Sequence, residues 1–175
     1  RDYKVTGVQT CALPIWILVL FVGLSLSSGI FAQEKTTDSK NSNEIPKFKI
    51  MNIVDSTKFT DENLEKNKRT IFIYFGADCG HCTYFTKKLM DSLSLFQKTQ
   101  IIMVSSSEYS HIQKFADDNK LATCPFITVG RDGEYFFITH YEIRQFPTVI
   151  VYNKKGKQIK RFESEVSISD LITDW

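Results

Sequence analysis

The sequence DCGHC and the residues on either side of it constrain the fold of this chain more than any other part. Before it lies TIFIYF (Thr70–Phe75), an apolar run typical of a strand covered on both faces. After it, apolar residues recur at spacings of three and four, namely Cys82, Phe85, Leu89, Leu93 and Phe96. This spacing predicts an amphipathic helix from about Gly80 to Gln97. The pattern therefore places Cys79 and Cys82 at the start of a helix that follows a buried strand.

The remaining chain alternates apolar segments with helical patterns. The further segments predicted as strands are Gln100–Val104, Phe126–Gly130, Thr148–Tyr152 and Lys157–Phe162, the last two forming a hairpin through the turn NKKG. Helices are predicted after a capping box of Ser105 and Glu108, within Glu134–Ile143, and at a cap formed by Ser167 with Asp170. Residues Pro46–Phe59 are expected to add an N-terminal strand pair. This order predicts an α/β fold, in which a central mixed sheet is flanked by helices in three layers.

The residues before the predicted domain divide into three segments. Residues 1–15 contain VTGVQTCALPI, which resembles a translated sequencing adapter, so they are expected, with Cys11, to be foreign to the fold. Residues 16–32 have an apolar run shorter than the roughly 20 residues that cross a bilayer, which favours a signal peptide cleaved near Ala32 over an uncleaved anchor. Residues 33–44 are polar and predict a flexible linker, followed by one domain at 45–175.

The net charge and the predicted signal peptide indicate which partners the chain has and in which compartment it works. The formal net charge is +2 and basic residues form no long run, so no nucleic-acid partner is expected. A hydrophobic content of 42% is enough for the core of a single domain. Cleavage of the signal peptide would leave no stable membrane span and would place the chain outside the cytoplasm, in the periplasm or secreted. Disulfides persist in those compartments.

The spacing of the two cysteines favours redox chemistry. Thiols three residues apart at a helix start can form a strained, readily reduced disulfide. Cys79 lies where free backbone N–H groups and the positive end of the helix dipole favour a thiolate, so it is the predicted nucleophile. Cys82, one turn further inside, is the predicted resolving thiol. A charged His81 would stabilise the thiolate. The alternative interpretation is that His81 is an exposed loop histidine without a role.

The cysteine pair has two alternative uses. Zinc requires about four ligands, and only Cys124, His111 and His140 accompany the pair, with no second pair at ligand spacing. A static structural disulfide is the second alternative. Redox activity that needs no metal and no cofactor is the favoured interpretation.

The remaining cysteine and histidines have simpler interpretations. Cys124 is expected to be a free thiol, buried or partly buried, with a regulatory or mixed-disulfide role as the alternative. His111 lies beside polar residues and predicts a solvated helix face. His140 lies in an aromatic segment and is expected to be packed rather than functional.

The strand, the CGHC motif and its helix, together with YEIRQFPTVIVYNKKGKQIKRF (Tyr141–Phe162), resemble the thioredoxin-fold family. The segments before and after the site are most similar to its secreted TlpA-like branch of thiol-disulfide oxidoreductases. The resemblance implies that Cys79 attacks and Cys82 resolves, and that Pro147 is a cis-proline facing them. It further implies that the backbone of Phe146 pairs with an extended substrate peptide, which also contacts Gly80.

The chain departs from the family pattern at three positions. Asp78 stands where thioredoxins usually have tryptophan, Ile73 replaces their buried acid, and Lys87 replaces the helix proline. A carboxylate at Asp78 would oppose thiolate formation if it lay close to the sulfur. Loss of the buried acid means that another group or water must relay protons. The CGHC motif is also that of protein disulfide isomerases, which implies a less reducing potential than CGPC.

These observations predict an exported thiol-disulfide oxidoreductase that reduces disulfides of envelope proteins and exchanges electrons with a redox partner protein. The same site could instead act as a disulfide oxidase or isomerase. A thioredoxin-like copper carrier is the alternative from another class, because soft Cu(I) suits thiolates. A peptide-binding scaffold without catalysis is the third.

Overall fold

The computed structural model describes residues 43–172. Its seven strands form one sheet and are β1 (Lys49–Asn52), β2 (Lys58–Thr60), β3 (Arg69–Tyr74), β4 (Thr99–Ser105), β5 (Ile127–Arg131), β6 (Thr148–Tyr152) and β7 (Gln158–Glu163). The α-helices are α1 (Gly80–Asp91), α2 (Tyr109–Asp118), α3 (Phe136–His140) and α4 (Ile168–Ile172). Short 3₁₀ turns cover Asp61–Asn63, Leu93–Phe96 and Leu121–Thr123. None of the helices within 43–172 combines the length and apolarity that a membrane crossing requires.

The strands follow the order β2-β1-β5-β4-β3-β6-β7 across the sheet. Strands β3, β4 and β5 run parallel, whereas every other neighbouring pair is antiparallel. Parallel neighbours require crossover connections, which α1 and α2 supply. Strand β3 lies between β4 and β6, and its last residue, Tyr74, pairs with Val104 on one side and Thr148 on the other. The predicted central mixed sheet is confirmed.

Alternate residues of β3 enter two different cores. Ile71 and Ile73 pack in a cluster that includes buried residues of α1, α2 and α4. Phe72 and Tyr74 pack in a second cluster, which contains Phe137 of α3. Successive side chains of a strand point to opposite faces, so an apolar run marks a strand buried on both. The predicted three layers are confirmed.

Two of the predicted element boundaries are wrong. The first helix ends at Asp91 rather than near Gln97, because the N–H of Ser92 donates to both Leu89 and Met90 and the chain tightens into a 3₁₀ turn. The capping box does not form, since Ser105 is still the last residue of β4 and α2 begins after Glu108 without a side-chain cap. The Ser105 hydroxyl instead accepts a hydrogen bond from the N–H of Ser107 at 3.2 Å.

The terminal parts of the described domain follow the predictions. The N-terminal strand pair forms and joins the sheet through β1, which pairs antiparallel with β5. The hairpin of β6 and β7 turns at Asn153–Gly156. Ser167 precedes α4 and its hydroxyl accepts a hydrogen bond from the N–H of Ser169 at 3.3 Å. Asp170, predicted to share this cap, contacts Ser167 through its backbone N–H, which donates to the Ser167 carbonyl at 3.1 Å. The predictions for residues 1–15 and 16–32, and nearly all of the linker at 33–44, lie outside the described residues.

Candidate functional site

Cys79 lies on the short loop that follows the carboxyl end of β3 and is held in place by the neighbouring strand, and Cys82 lies in the first turn of α1. The N–H of Phe75 donates to the carbonyl of Val104 at 2.9 Å, which prolongs the β3–β4 ladder by one residue. The N–H of Ala77 donates to the hydroxyl of Ser107 at 3.2 Å, and the N–H of Cys79 closes a turn onto the carbonyl of Gly76 at 3.2 Å. These bonds fix the point at which α1 begins.

Cys79 is the N-cap of α1. Its backbone is extended, with φ −89° and ψ 114°, and its Sγ accepts a hydrogen bond from the N–H of Cys82 at 3.2 Å. N-cap positions are normally filled by side-chain oxygens that satisfy such an N–H group. A sulfur in this position is stabilised most when it is ionised, because the first-turn N–H groups and the helix dipole favour negative charge. The Cys79 sulfur therefore caps the helix at the start that the sequence predicted.

Cys82 has a different environment, although it is only three residues away. It is completely buried in the core beneath α1, whereas Cys79 is partly exposed. Burial, followed by the hydrogen bond with the Cys79 side chain, raises the pKa of Cys82 to about 12. Cys82 therefore remains a protonated thiol at neutral pH. The two thiols are free and are differentiated as a nucleophile and a resolving thiol would be.

Phe146 and Pro147 close the other side of the pair. The bond between them is cis, as the resemblance implied, and the carbonyl oxygen of Phe146 lies 4.0 Å from the Sγ of Cys79. The Phe146 ring rests on Tyr74, with 5.8 Å between ring centroids, yet 38% of the residue is exposed. Pro147 is buried, and its carbonyl accepts a hydrogen bond from the N–H of Ser164 at 2.9 Å.

Gly76 allows these groups to approach one another. A Cβ added there would lie 3.3 Å from the Cβ of Cys79 and 3.3 Å from the Phe146 ring, closer than ordinary van der Waals contact. Sequence reasoning did not identify this glycine. Its signal was present in the sequence, since a glycine directly after a buried strand often marks a close approach of backbone to another group.

His81 and Gly80 occupy the exposed first turn of α1. A Cβ on Gly80 would meet nothing within 4 Å among the described residues, so the space over this residue is open. His81 borders a cavity of about 570 Å³ between α1 and the segment that leads into α4, where Tyr84, Lys88 and Ser164 also lie. The Lys88 ammonium sits 4.4 Å from the centre of the Tyr84 ring. The geometry thus leaves His81 accessible beside the pair.

Asp78 and His111 meet on the opposite side of the loop. The Nδ1 of His111, on α2, lies 3.1 Å from the Oδ2 of Asp78, and both side chains are exposed, at 55% and 81%. His111 is exposed to solvent, as the sequence predicted. The contact itself was missed, because the two residues are 33 positions apart and belong to different elements.

The other departures from the family pattern are also located. Ile73 is fully buried in the core beneath α1, and Lys87 is exposed on that helix. Among the described residues, Asp132 is the one fully buried carboxylate. Its two oxygens accept hydrogen bonds from the N–H groups of Phe136 and Phe137, at 3.0 and 2.8 Å, so it caps α3.

Cys124 and His140 have the surroundings that the sequence predicted, since Cys124 is buried and His140 is packed. Cys124 is a buried free thiol whose pKa is raised by burial. His140 is half-buried, stacks on Phe136 with 5.2 Å between ring centroids, and has its pKa lowered by burial. Within residues 43–172, no cluster of three histidine, cysteine or acidic side chains is arranged to hold a metal ion.

Comparison with protein families decides the fold assignment. A family described as Thioredoxin-like matches residues 67–158, which span more than half of the chain and include the cysteine pair and the cis-proline. The chain belongs to the thioredoxin-like family. No curated protein matches it significantly.

Solved structures show the same thioredoxin-like fold at low identity. A secreted disulfide oxidoreductase of Mycobacterium tuberculosis, homologous to DsbE of E. coli, is 14% identical, with a TM-score of 0.61 over 71% of this chain and 91% of the other. StoA from Bacillus subtilis is 16% identical, with a TM-score of 0.57 over 73% and 94%. The thioredoxin domain of a thiol-disulfide oxidoreductase from Bacteroides vulgatus is 18% identical, with a TM-score of 0.61 over 74% and 90%.

Proposed function

We propose that this chain is an exported thiol-disulfide oxidoreductase that reduces disulfides in proteins of the cell envelope. The observation that carries the proposal is the position of the Cys79 sulfur, which caps α1 by accepting the N–H of Cys82 at 3.2 Å. A partly exposed sulfur held at the positive end of a helix, next to a buried thiol, has the arrangement that disulfide exchange requires. The fold shared with disulfide oxidoreductases supports this function.

The first step is attack by the Cys79 thiolate on one sulfur of a substrate disulfide. A bond forms between Cys79 and that sulfur, the substrate S–S bond breaks, and the other substrate cysteine leaves as a thiolate that takes up a proton. The result is a mixed disulfide with the protein. The open space over Gly80 and the partial exposure of Cys79 leave room for this approach.

The second step is attack by Cys82 on the Cys79 sulfur. Cys82 must first lose its proton, and its pKa of about 12 makes this unfavourable until a base or the departing substrate thiolate accepts it. The mixed disulfide breaks, the substrate leaves as a dithiol, and Cys79 and Cys82 become a disulfide. A partner protein with a reactive dithiol then returns two electrons and two protons to the pair.

The substrate would bind as an extended peptide along Phe146. The carbonyl of this residue is 4.0 Å from the attacking sulfur, so a strand paired with the Phe146 backbone would bring its own cysteine to Cys79. The Phe146 ring is partly exposed and His81 is accessible, so both can contact a bound peptide. This arrangement selects unfolded or extended protein segments rather than small thiols.

We assign the chain to the secreted TlpA-like branch and to an extracytoplasmic location. The segments around the site resemble that branch, and one structural neighbour is a secreted disulfide oxidoreductase. The proposed signal peptide at residues 16–32 provides the export route. Export is tested by expressing the full chain with a C-terminal tag and comparing the mass and compartment of the product with those of a variant lacking residues 16–32.

Reductase activity is tested with insulin as a disulfide substrate and dithiothreitol as the electron source. We expect turnover that Cys79→Ser abolishes. Mixed with insulin in the absence of dithiothreitol, which would cleave the product, Cys82→Ala should accumulate as a mixed disulfide. Cys124→Ala is the matched control, because this buried thiol lies outside the pair and its loss should leave turnover intact. Turnover that persists in Cys79→Ser would contradict the mechanism, and absence of turnover in the unmodified chain would favour a binding scaffold.

The direction of electron flow is tested by titrating the pair against glutathione. A potential near that of thioredoxin, about −270 mV, supports a reductase, whereas one near −120 to −180 mV supports an oxidase or isomerase with the same residues. Partners trapped by Cys82→Ala identify the substrates. Metal analysis of the dialysed protein completes the test, since stoichiometric copper would favour the carrier.

A further inference from the structure

We propose that Ser107 is a positioning residue for Cys79. Its hydroxyl binds the peptide group between Gly76 and Ala77, and that peptide group binds the backbone of Cys79. Ser107 lies in the segment between β4 and α2, 30 residues along the chain from Ala77. The inference rests on the proposed function in one respect only, namely that Cys79 is the attacking group.

The peptide group between Gly76 and Ala77 is hydrogen-bonded at both ends. Its N–H, which belongs to Ala77, donates to the Oγ of Ser107 at 3.2 Å. Its carbonyl, which belongs to Gly76, accepts the N–H of Cys79 at 3.2 Å. A peptide group is a rigid plane, so a rotation that breaks one of these bonds also displaces the other. Ser107 therefore acts on the Cys79 backbone through a single rigid unit.

The contacts of the Cys79 sulfur depend on the position of that backbone. The sulfur accepts the N–H of Cys82 at 3.2 Å and lies 4.0 Å from the carbonyl oxygen of Phe146. Gly76 is so close that a Cβ added to it would lie 3.3 Å from the Cβ of Cys79. A rotation of the peptide group after Gly76 would therefore change the surroundings of the sulfur as well as the loop.

Ser107 is itself fixed by the sheet. The hydroxyl of Ser105, which is completely buried at the end of β4, donates to the Oγ of Ser107 at 3.1 Å. The N–H of Ser107 donates back to the Oγ of Ser105 at 3.2 Å. Arg131 of β5 pairs with Ser105 in the sheet, and its Nε donates to the carbonyl of Ser107 at 3.0 Å. The oxygen that accepts the Ala77 N–H thus has a defined position.

Loss of the Ser107 hydroxyl should make Cys79 less reactive. Ala77 is half-buried, and an N–H group without an acceptor favours a rotation of its peptide towards water. That rotation would displace Cys79 from the cap position, where the N–H of Cys82 stabilises its thiolate. We expect Ser107→Ala to slow alkylation of Cys79 about three- to tenfold, because reactivity is sensitive to small displacements of the reacting group.

The test measures the rate of iodoacetamide alkylation at Cys79 and at Cys82 in the reduced full chain at neutral pH, by peptide mass spectrometry. Ser107→Thr keeps the hydroxyl and should restore most of the rate that Ser107→Ala loses. Thr123→Ala is the matched control, because it removes a hydroxyl that donates to the backbone carbonyl of Lys120 at 2.7 Å, outside the loop. Its Cys79 rate should equal that of the unmodified chain.

Two further readouts separate positioning from a general loss of structure. Loosening of the fold would expose the buried Cys82 and speed its alkylation, whereas positioning by Ser107 slows Cys79 and leaves Cys82 protected. Ser105→Ala should slow Cys79 by a smaller factor than Ser107→Ala. In the Ser107→Ala background it should have no further effect, since Ser105 acts on the loop through the Ser107 hydroxyl.

Three results would overturn the inference. The first is an unchanged Cys79 rate in Ser107→Ala. The second is a slower rate that Ser107→Thr does not restore or that accompanies faster labelling of Cys82. The third is an effect of Ser105→Ala that is equally large with and without the Ser107 hydroxyl. None of these affects the proposed function, which depends on insulin turnover. Conversely, a chain without turnover whose Cys79 rate still depends on Ser107 would refute the function and retain this inference.

Discussion

At the scale of single residues, the site depends on the different surroundings of two identical side chains. Cys79 caps a helix at the surface, and Cys82 lies one turn below in the core. One hydrogen bond links the two residues, from the backbone N–H of Cys82 to the sulfur of Cys79. In the proposed mechanism, burial therefore sets the order of reaction, with the accessible sulfur first and the buried one second.

This difference predicts selective alkylation. The pKa of Cys82 is raised to about 12 by burial, so its thiolate is scarce at pH 8 and becomes appreciable only as the pH approaches that value. We expect iodoacetamide at pH 8 to label Cys79 more than about a hundredfold faster than Cys82, as measured by peptide mass spectrometry. Unfolding in urea should remove the difference. Comparable labelling of both cysteines in the folded protein would show that Cys82 is not protected.

The close packing at Gly76 makes a second prediction. Gly76→Ala places a methyl group 3.3 Å from both the Cys79 Cβ and the Phe146 ring, so one of them must move by a few tenths of an ångström. We expect insulin turnover to fall about tenfold, because catalysis is sensitive to small displacements of the reacting group. Gly133→Ala is the control, since the mechanism does not use this glycine and its methyl group would lie 3.7 Å from the Arg131 guanidinium, an ordinary van der Waals contact. Equal turnover in the two variants would contradict this account.

At the scale of elements, both cysteines belong to the start of α1, which follows β3, whereas neighbouring elements supply the groups around them. The segment between β4 and α2 provides Ser107 for the loop and His111 for Asp78. The residue before cis-Pro147 provides the carbonyl that faces Cys79. Short α3 packs on the opposite face of the sheet, and its Phe137 lies against Tyr74, which in turn supports the Phe146 ring.

The start of α3 depends on one buried carboxylate. Asp132 accepts two backbone N–H groups at the beginning of this helix and is fully buried. Asp132→Ala should lower the free energy of unfolding by about 2–3 kcal/mol, because it removes a cap and leaves two N–H groups without a partner. Urea denaturation measures this loss. Glu134→Ala, at an exposed neighbour whose partner Lys49 is also exposed, should change the stability by less than about 1 kcal/mol.

At the scale of the whole molecule, the sheet separates two cores, and one of them contains buried polar groups that its packing must satisfy. The core on the α3 side holds a pair of buried tyrosines, Tyr141 and Tyr152, whose hydroxyl oxygens are 2.8 Å apart. A guanidinium N–H of Arg161 also donates to the backbone carbonyl of Tyr141. This network joins the end of α3 to β6 and β7, so it couples the helix to the edge of the sheet.

The tyrosine pair predicts a strongly non-additive mutational effect. Tyr141→Phe or Tyr152→Phe alone leaves one buried hydroxyl without its partner and should cost about 1–3 kcal/mol of unfolding free energy. The double variant removes both hydroxyls and should lie within about 1 kcal/mol of the original chain. Urea denaturation of the four proteins gives the coupling. Additive losses would show that the hydroxyl pair is not a unit.

The same pair predicts the behaviour at alkaline pH. Burial raises the pKa of both tyrosines in the folded protein, so their contribution is intact below the pKa of an unfolded tyrosine, near 10, and falls as the pH rises above it. In that range, ionisation of each tyrosine should lower the free energy of unfolding by about 1.4 kcal/mol per pH unit. The urea midpoint between pH 9 and 11 should therefore fall more steeply in the original chain than in the double phenylalanine variant. Parallel curves would contradict the assignment.

The local pattern of the sequence was sufficient to predict the main strands and helices and their three-layer arrangement, but not where every element begins and ends. An apolar run marked β3 as buried on both faces, and spacings of three and four marked α1. Both signals are local, because they reflect the side-chain periods of a strand and a helix. The signal failed at Ser105, where a serine three residues before a glutamate has the pattern of a helix cap but lies at the end of a strand. Ser105 remains in β4 because it pairs with Arg131 of β5.

The sequence by itself determined that two cysteines would stand at the start of a helix after a buried strand, because that placement depends only on residues close together along the chain. The tertiary structure alone decided what surrounds the sulfur. The position of β3 between β4 and β6 brings Phe146 to Cys79 across 67 residues and His111 to Asp78 across 33. Such contacts follow from the order of strands in a sheet, which no local period specifies.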